Sequence, residues 1–413
     1  MIDLTLLRQE PERVKTLLKL KEPTFDVARL IDLESQVRSL RIRIEGLRHK
    51  KNELADQAKA GLTPVMRQES IAIGKELKEV ETELVHVETA FNDLALSCPN
   101  LPYDDVPEGG KEANRVVKTV GTKPEYSFAL KNHLELTSAL GWIDFEAGTR
   151  IAGSQFPLYR GVAAKMIYAL TRLMIKNNLS FGYELISPPT LVNEQSLIVS
   201  GNFPKFRDQV YAVSADQLYL TPTAEVDLAS IYRNAILSAD QLPLRMTAWT
   251  SCFRREAGGY GATERGLIRI HQFEKVELFT LCDPQDSHKE QERMLACAES
   301  ILQQLGLHYR ISLLAGQDCS FASAKTYDIE VWLPGQNSYF EVSSISDCTT
   351  FQARRGLIRF KRTPTAKNEL VHTLNGSSLA LSRLMVALFE TYQQPDGTIV
   401  LPEILASDPI FSW

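Results

Sequence analysis

Residues 244–279, LRMTAWTSCFRREAGGYGATERGLIRIHQFEKVELF, combine two strand-like runs with a charged, glycine-rich centre. In the second run, 267–279, we predict a β-strand whose side chains alternate between two faces. The even-numbered face is mainly aliphatic. The odd-numbered face carries five polar or aromatic side chains: Arg269, His271, Phe273, Lys275 and Glu277.

A strand face of this composition suits the floor of a polar pocket better than it suits a core. Phe273 and Glu277 would lie roughly 13 Å apart at about 3.3 Å per residue. A planar ring could stack at one end while a hydroxyl or cationic group is held at the other. An exposed hairpin with a solvated outer face explains the same pattern, so both interpretations remain open from this segment alone.

The chain has 413 residues, which is enough for two or three domains with a large buried core. Its 44% hydrophobic and 23% charged residues are typical of globular proteins that work in water. The formal net charge of −5 means that any contact with nucleic acid has to come from local basic patches.

The six cysteines are scattered, and none has the spacing of a zinc ligand, so no zinc site is expected. Isolated thiols of this kind are typical of a reducing compartment. The first 18 residues carry charges throughout, unlike a signal peptide. No run reaches the ~18 apolar residues that span a bilayer. We therefore expect a cytoplasmic protein without membrane association.

Heptad spacing of apolar residues predicts a long helical hairpin over about 26–97. Two helices of ~33 residues, each about 50 Å long, would be joined at the breaker 61–64 and pack as an antiparallel coiled coil. A hairpin of that length should project as an arm from an N-terminal domain, residues 1–98. The apolar positions are Leu33, Val37, Leu40, Ile44, Leu47, Leu54, Ala58, Ile73, Leu77, Val80, Leu84, Val87, Phe91 and Leu94.

The two helices of the hairpin differ in charge, because the first is basic and the second is acidic. Ion pairs across the two helices are the ordinary explanation for such a pattern. A basic stripe that contacts the phosphates of a nucleic acid is the functional alternative. The stripe consists of Arg38, Arg41, Arg43, Arg48, Lys50 and Lys51.

The segment 99–125 is rich in proline, glycine and asparagine, and we predict a linker there. Strands and helices then alternate irregularly through a second domain, 126–413, which favours an α+β fold on a mainly antiparallel sheet. Within it we predict a strand over 181–192, interrupted by two prolines, and a helix over 378–392.

Polar groups recur at the predicted ends of elements in the second domain. Two arginines, Arg254 and Arg383, lie far apart in sequence, and Glu341 is followed closely by two serines. Guanidinium groups suit phosphates because they are planar and permanently charged. Carboxylate and hydroxyl oxygens suit Mg²⁺. Together they could form a triphosphate and Mg²⁺ site, although each residue alone could equally be an ordinary surface group.

The segment 244–279 resembles motif 2 of the class II aminoacyl-tRNA synthetases, in the form found in seryl-tRNA synthetases, through FR-x-E-AG and RGL-x-R-x-HQF-x-KVE. GYELISPPTLV, 182–192, resembles motif 1, and LNGSSLALSRLMVALFE, 374–390, resembles motif 3. The stretches TAEV, PKFRDQVY, EVSS, FQARR and NLPYDDVP are also similar to that family, and the motifs occur in its order. The resemblance covers nearly the whole chain.

The resemblance implies a class II synthetase domain, with an antiparallel sheet flanked by helices, preceded by a coiled-coil arm that binds tRNA. The implied reaction attaches serine to tRNA(Ser), and also to tRNA(Sec) where that tRNA is present. ATP and Mg²⁺ would be required, and seryl-adenylate would be the intermediate. The motif 1 strand would form a homodimer. The basic stripe of the hairpin would contact tRNA phosphates.

The resemblance also implies roles for individual residues. Arg254 and Arg383 would serve catalysis, and Glu341 with Ser344 would bind Mg²⁺. ATP would contact Arg254, Arg255, Glu256, Arg269, Ile270, Phe273, Glu341, Val342, Ser343, Ser344 and Arg383. Serine would contact Thr223, Ala224, Glu225, Glu277, Asn375 and Ser377.

Three positions depart from the family pattern, namely Arg255, Gln155 and the loop GATERG at 261–266. Two rival functions follow from related proteins. One is a homologue that charges a carrier protein, although such proteins typically lack the long arm. The other is a catalytically silent paralogue that serves as an RNA-binding or scaffold protein, in which the arginines of motifs 2 and 3 would be eroded. This chain has the arm and both arginines.

Overall fold

A computed structural model describes residues 1–59, 61, 63–257 and 266–412. The chain divides into two compact units, Met1–Leu101 and Pro102–Trp413. No helix among the described residues is both long enough and apolar enough to cross a membrane.

The first unit is helical, as the heptad pattern predicts. The long helices begin at the side-chain caps Asp26 and Thr63, and Pro64 occupies the first turn of the second one. Their facing apolar side chains form a continuous seam. The helices are α1 Leu4–Gln9, α2 Pro11–Lys21, α3 Val27–Ala58 and α4 Pro64–Leu96.

The second unit contains an eight-stranded sheet in the order β1-β11-β12-β13-β16-β10-β9-β4, antiparallel except where β4 pairs with β9. Its strands are β1 Arg115–Val120, β2 Ile143–Asp144, β3 Leu158–Tyr159, β4 Glu184–Ile186, β5 Leu191–Asn193, β6 Ala212–Val213, β7 Leu218–Leu220, β8 Ile236–Ser238, β9 Leu244–Phe253, β10 Gln272–Cys282, β11 Tyr309–Leu313, β12 Lys325–Leu333, β13 Ser338–Asp347, β14 Arg359–Lys361, β15 Glu369–Leu370 and β16 His372–Ala380.

Helices flank this sheet, so the predicted α+β fold with a preceding helical hairpin is confirmed. The main core lies where α7, α10 and α12 pack on one face of the sheet. The α-helices of this unit are α5 His133–Leu140, α6 Phe145–Ala152, α7 Val162–Ser180, α8 Glu194–Ser200, α9 Ala224–Ser230, α10 Ser287–Gln304, α11 Phe351–Gly356, α12 Leu381–Thr391 and α13 Glu403–Ala406.

Strand β10 contributes side chains to two different environments, one on each face of the sheet. The even-numbered Val276 and Leu278 are fully buried in the main core. The odd-numbered Phe279 and Leu281 belong to a second apolar cluster with α9. On that second face, towards the start of β10, the odd-numbered positions are occupied by aromatic and charged residues. The alternation predicted from the sequence therefore holds from residue 272 onwards.

The predicted strand over 267–279 is wrong for its first five residues. Residues 267–271 lie outside the sheet, and their backbone groups bond elsewhere. The amide of His271 donates to the carbonyl of Gln155 at 3.1 Å. The carbonyl of Ile268 accepts from the guanidinium of Arg383 at 3.3 Å. Arg269 and His271 therefore do not share a strand face with Phe273.

Two other predicted elements have different boundaries. Residues 378–380 end strand β16 instead of beginning a helix, because Ala380 pairs with Lys275 of β10. The predicted strand 181–192 is divided at Pro188 and Pro189, which have no backbone N–H to donate to a sheet. Its first part, β4, lies at the edge of the large sheet, and β5 pairs with β7 in a separate small sheet.

The segment 99–125, predicted as a linker, contributes a strand to the large sheet. Strand β1 pairs with β11, and its register shifts between Val116 and Lys118. Five of its six side chains are exposed, which is typical of an edge strand.

Candidate active site

A cavity of about 270 Å³ opens where β10 and β16 meet the segments at 254–256 and 268–270. Many of the residues predicted to bind ATP line it, although they lie up to 129 positions apart in sequence. Four cationic side chains and two carboxylates face it, so the wall has excess positive charge. The lining residues are Arg254, Glu256, Ile268, Arg269, Ile270, Phe273, Lys275, Glu341, Ser377, Ala380, Ser382 and Arg383.

The arginines of this cavity are held by specific contacts. Arg254 follows β9, and its guanidinium lies 5.2 Å from the ring centroid of Phe273. Arg269 donates to the carboxylate of Glu256 at 2.7 Å. Arg383 reaches Glu341 through one nitrogen, at 2.9 Å to the carbonyl and 3.0 Å to the carboxylate. The guanidiniums are therefore fixed around a space that suits an anion with several oxygens.

Glu256 has a backbone φ of 49°, in the left-handed region that non-glycine residues rarely adopt. The next residue is held by Gln209, whose side-chain amide accepts from the amide of Ala257 at 3.0 Å and donates to its carbonyl at 2.9 Å. The amide of Arg255 donates to the carbonyl of Gln209 at 2.8 Å. These three bonds fix the backbone that carries Glu256, and such local strain is typical of functional segments.

Not every residue predicted to bind ATP reaches the cavity. Arg255 is exposed and is not one of the lining residues. Val342 is fully buried in the main core, so only its backbone could contact a ligand. The hydroxyl of Ser343 donates to the carbonyl of Ser377, a bond that ties β13 to β16.

A set of oxygen atoms beside Glu341 could hold a divalent cation. The hydroxyl of Ser344 donates to Asp328 at 2.6 Å, on the neighbouring strand β12. Burial raises the pKa of Asp328 well above its ordinary value, and the negative charge of Glu341 adds to the effect. A cation would relieve this repulsion, and Mg²⁺ prefers one or two carboxylates together with phosphate oxygens. The residues present therefore fit a magnesium ion that is completed by a nucleotide.

The predicted serine-binding residues form a second, smaller cluster around Glu277, which is 1% exposed. The hydroxyl of Thr223 donates to the carboxylate of Glu277 at 2.9 Å, which joins the start of α9 to β10. Ser377 lies opposite Glu277 in the paired strand β16. Ala224 is fully buried in the second apolar cluster, so its side chain faces away from a ligand. Asn375 donates to the sulfur of Cys348 at 3.3 Å.

Burial raises the pKa of Glu225 to about 7, and the nearby charge of Glu277 adds to the effect. Lys275, a hydrogen bond from Gln352 at 2.6 Å and Arg254 act in the opposite direction. Asp227 is raised to a pKa of about 7 as well, mainly by burial. Three carboxyl groups, those of Glu225, Asp227 and Glu277, therefore share a buried region near the cavity that the arginines line.

Comparisons with known proteins bear on this arrangement. The family model of the seryl-tRNA synthetase N-terminal domain matches residues 1–102, and that of the tRNA synthetase class II core domain (G, H, P, S and T) matches residues 210–392. The serine–tRNA ligase 2 of Clostridium acetobutylicum is 42% identical over 98% of both chains. The serine–tRNA ligase of Acidithiobacillus ferrooxidans is 44% identical over 98% of this chain and 97% of the relative.

The chain belongs to the seryl-tRNA synthetase family.

Solved structures agree with this membership. The seryl-tRNA synthetase from Pyrococcus horikoshii, complexed with ATP, superposes with a TM-score of 0.92 at 32% identity, covering 98% of this chain and 97% of that chain. The cytoplasmic serine–tRNA ligase of Naegleria fowleri, in complex with AMP, gives a TM-score of 0.86 at 26% identity over 100% of this chain and 97% of that chain.

Two charged residues of this synthetase site, Asp328 and Lys275, were not assigned a role from the sequence. Asp328 could have been suspected because it alternates with apolar residues in TYDIEVW, 326–332, where an acid on a buried strand is unusual. The two-residue alternation predicts the strand face of Lys275 correctly, but it indicates no function for this residue. Of the departures from the family pattern, 261–265 lie outside the described residues, and Gln155 has a backbone φ of 62°.

We predict that Glu225 of this synthetase takes up a proton with a midpoint near pH 7, because burial disfavours its charged form. Folding then favours the protonated carboxyl, so this group costs stability as pH rises from about 4.5 to about 7. Infrared difference spectra of the wild type and Glu225→Gln should contain a carboxyl band that titrates near pH 7. Asp227, whose pKa is also raised to about 7, should give a second band, and Asp227→Asn should remove it. A Glu225 band that titrates near pH 4.5 would contradict the assignment.

Proposed function

We propose that this synthetase is a serine–tRNA ligase, which uses ATP to attach serine to tRNA(Ser) through a seryl-adenylate. The observation that carries the proposal is the convergence of Arg254, Arg269 and Arg383 in one cavity beside a pocket of buried carboxylates. Family membership supports the same activity. Serylation of tRNA(Sec), where that tRNA is present, is part of the proposal.

Arg254 and Phe273 form the nucleotide end of the proposed site. The adenine ring would stack between Phe273 and Arg383, which both line the cavity. Arg254 would hold the α-phosphate, while Arg269 and Arg383 would meet the outer phosphates. Magnesium held at Glu341 and Ser344 would supply further positive charge at the phosphate oxygens.

Thr223, Glu225, Glu277 and Ser377 form the amino-acid end. The ammonium and hydroxyl groups of serine would donate hydrogen bonds to these carboxylate and hydroxyl oxygens. The carboxylate of serine would then face the α-phosphate. That carboxylate attacks the α-phosphorus, the bond to the β-phosphate oxygen breaks, and pyrophosphate leaves. The fixed cations contribute positioning and neutralise the developing charge. The terminal ribose hydroxyl of tRNA then attacks the carbonyl carbon, and AMP leaves.

The site also gives a physical reason for selecting serine. Glu277 is buried, and a bound alanine substrate would offer no hydroxyl group to its carboxylate. Sites built to bind a hydroxyl can reject an analogue without it by about 10⁴-fold. Threonine has the hydroxyl, so its extra methyl group has to be excluded sterically. A catalytically silent protein has no such requirement, and the arginines whose loss would indicate one are both present.

We predict that Glu277→Ala abolishes serine-dependent exchange of pyrophosphate into ATP, because the hydroxyl loses its acceptor. The expected loss is about 100-fold or more in kcat/KM for serine. Glu274→Ala is a matched control on the same strand, with its side chain on the other face, hydrogen-bonded to Ser251. That control should stay within about twofold of wild type. Near-normal exchange by a correctly folded Glu277→Ala would refute the assignment.

Binding of tRNA is assigned to the helical hairpin of the first unit. Three of the six predicted tRNA contacts are occupied by ion pairs across the hairpin, Arg41 with Glu88, Arg43 with Glu76 and Arg48 with Glu81. Within the described residues Arg38, Lys50 and Lys51 form no ion pair, and all three are exposed. We therefore assign the larger share of phosphate contact to these three cations.

We predict that the triple variant Arg38→Ala, Lys50→Ala, Lys51→Ala weakens tRNA charging about tenfold near physiological salt and flattens its salt dependence. The matched control replaces Arg41, Arg43 and Arg48 by alanine and should lose less, because those charges are partly neutralised already. Both variants should keep serine-dependent pyrophosphate exchange, as should a chain in which residues 30–95 are deleted. Equal losses in the two triple variants would contradict the assignment.

A homodimer through the motif 1 segment is also part of the proposal. Strand β4 lies at one edge of the large sheet, where its backbone can pair further. Large apolar side chains are exposed around it, with Leu185 at 46%, Tyr168 at 56% and Trp249 at 38%. The rings of Tyr168 and Trp249 lie 6.5 Å apart in an edge-to-face contact. An apolar patch beside a free strand edge is typical of a protein interface.

We predict that Leu185→Asp converts the synthetase from a dimer to a monomer, because the charge would be buried between two copies. Sedimentation equilibrium should give half the wild-type mass for this variant. Val400→Asp, which changes an exposed apolar residue elsewhere, is the control and should remain dimeric. A wild type that sediments as a monomer would overturn this part of the proposal.

The six cysteines are all buried, and none of them forms a disulfide bond. A cytoplasmic location remains a prediction.

A further inference from the structure

Among the described cations of the cavity wall, Lys275 is the one for which the nucleotide-binding scheme gives no role. Its side chain is 8% exposed, although an isolated lysine is almost never buried to this degree. It lies on the same face of β10 as Phe273 and Glu277, between the ring and the carboxylate. Removing an ammonium from water is costly, so this position calls for a specific partner.

The partner is one oxygen atom of Glu277. The ammonium of Lys275 forms an ion pair with Oε2 of Glu277 and donates to the hydroxyl of Thr223 at 2.7 Å. The same hydroxyl donates to Oε2 at 2.9 Å. The three groups therefore form a closed triangle in which Oε2 contacts both the Thr223 hydroxyl and the Lys275 ammonium. Among the described residues none donates to the other oxygen, Oε1.

The backbone of Glu277 is also held in place by the neighbouring strands. The register between β10 and β16 shifts between Lys275 and Glu277 because β16 has an extra residue there, whereas β10 pairs with β9 without a shift. The hydroxyl of Thr247 donates to the backbone carbonyl of Glu277 at 2.8 Å, from the strand on the other side. Both the backbone and Oε2 of Glu277 are thus held, which leaves the direction of Oε1 determined.

Lys275 also balances charge within the carboxylate cluster. The charge of Glu277 adds to the burial that raises the pKa of Glu225, and Lys275 acts against this rise. The substrate ammonium could not be attracted by carboxyl groups that are neutral. A buried ion pair alone contributes little to stability, since apolar residues of similar volume often replace one without loss. Its place in a cavity wall is better explained by a role in binding.

We propose that Lys275 is a positioning residue for the amino-acid substrate: it holds Oε2 of Glu277, so that Oε1 is aimed into the site as the acceptor for the serine hydroxyl or ammonium group. The inference rests on the proposed function, because it presupposes that serine is the substrate. Lys275 acts through Glu277 and takes no part in the reacting bonds.

The test uses the full-length protein and pyrophosphate exchange, with serine and ATP varied separately. Lys275→Met keeps the length of the side chain but removes its charge. It should raise the KM for serine by about 10-fold to 100-fold, which corresponds to the loss of a charged hydrogen bond. The KM for ATP should stay within about twofold. Lys275→Arg keeps the charge and should recover part of the serine affinity. Lys289→Met, on an exposed face of α10, should behave as wild type.

The double variant Lys275→Met, Glu277→Gln separates positioning from structural support. Lys275→Met leaves a buried carboxylate without its counter-ion, so its melting temperature should fall. Removing the second charge should restore the melting temperature while the KM for serine stays high. Recovery of both together, or an equal rise in the KM values for serine and ATP, would overturn the inference. Absence of serine-dependent exchange in the wild type would instead refute the proposed function.

Discussion

The site depends on the register of strand β10, which separates two very different environments. Val276 and Leu278 point into the main core, while Lys275 and Glu277 point to the opposite side with their charges buried. A slip of one residue would put two charges into the core and two aliphatic side chains into the site. Pairing along ten residues of β9 on one side and seven of β16 on the other prevents this slip.

The charge of the site changes from positive to negative along strand β10. Where it begins, the cavity carries guanidinium groups and excess positive charge, which suits phosphates. Further along, carboxylates dominate, which suits an ammonium and a hydroxyl group. Lys275 lies at the boundary and belongs to both regions. A triphosphate followed by the carboxylate and then the ammonium of an amino acid has the complementary order of charge, so the arrangement favours one orientation of the two substrates.

The hairpin illustrates how one charge pattern can serve two purposes. The sequence left ion pairing and phosphate contact as alternatives, and the structure realises ion pairing for Arg41, Arg43 and Arg48. Exposed pairs of this kind contribute only about 0–1 kcal/mol each, so they could give way to a phosphate without endangering the hairpin. The apolar seam between α3 and α4 supplies the stability of this unit.

The local periodicity of the sequence was sufficient to predict the helical hairpin and one functional strand face. The heptads determined the hairpin because a coiled coil repeats one contact, and the two-residue alternation placed Phe273, Lys275 and Glu277 on one face because that follows from strand geometry. Only the tertiary structure decided where the strands begin and end, since residues 267–271 and 378–380 depend on partners far away in sequence. It also decided that Asp328 meets Ser344 and that Oε2 of Glu277 is occupied by Lys275, because such contacts arise from strand pairing, which no single stretch of sequence encodes.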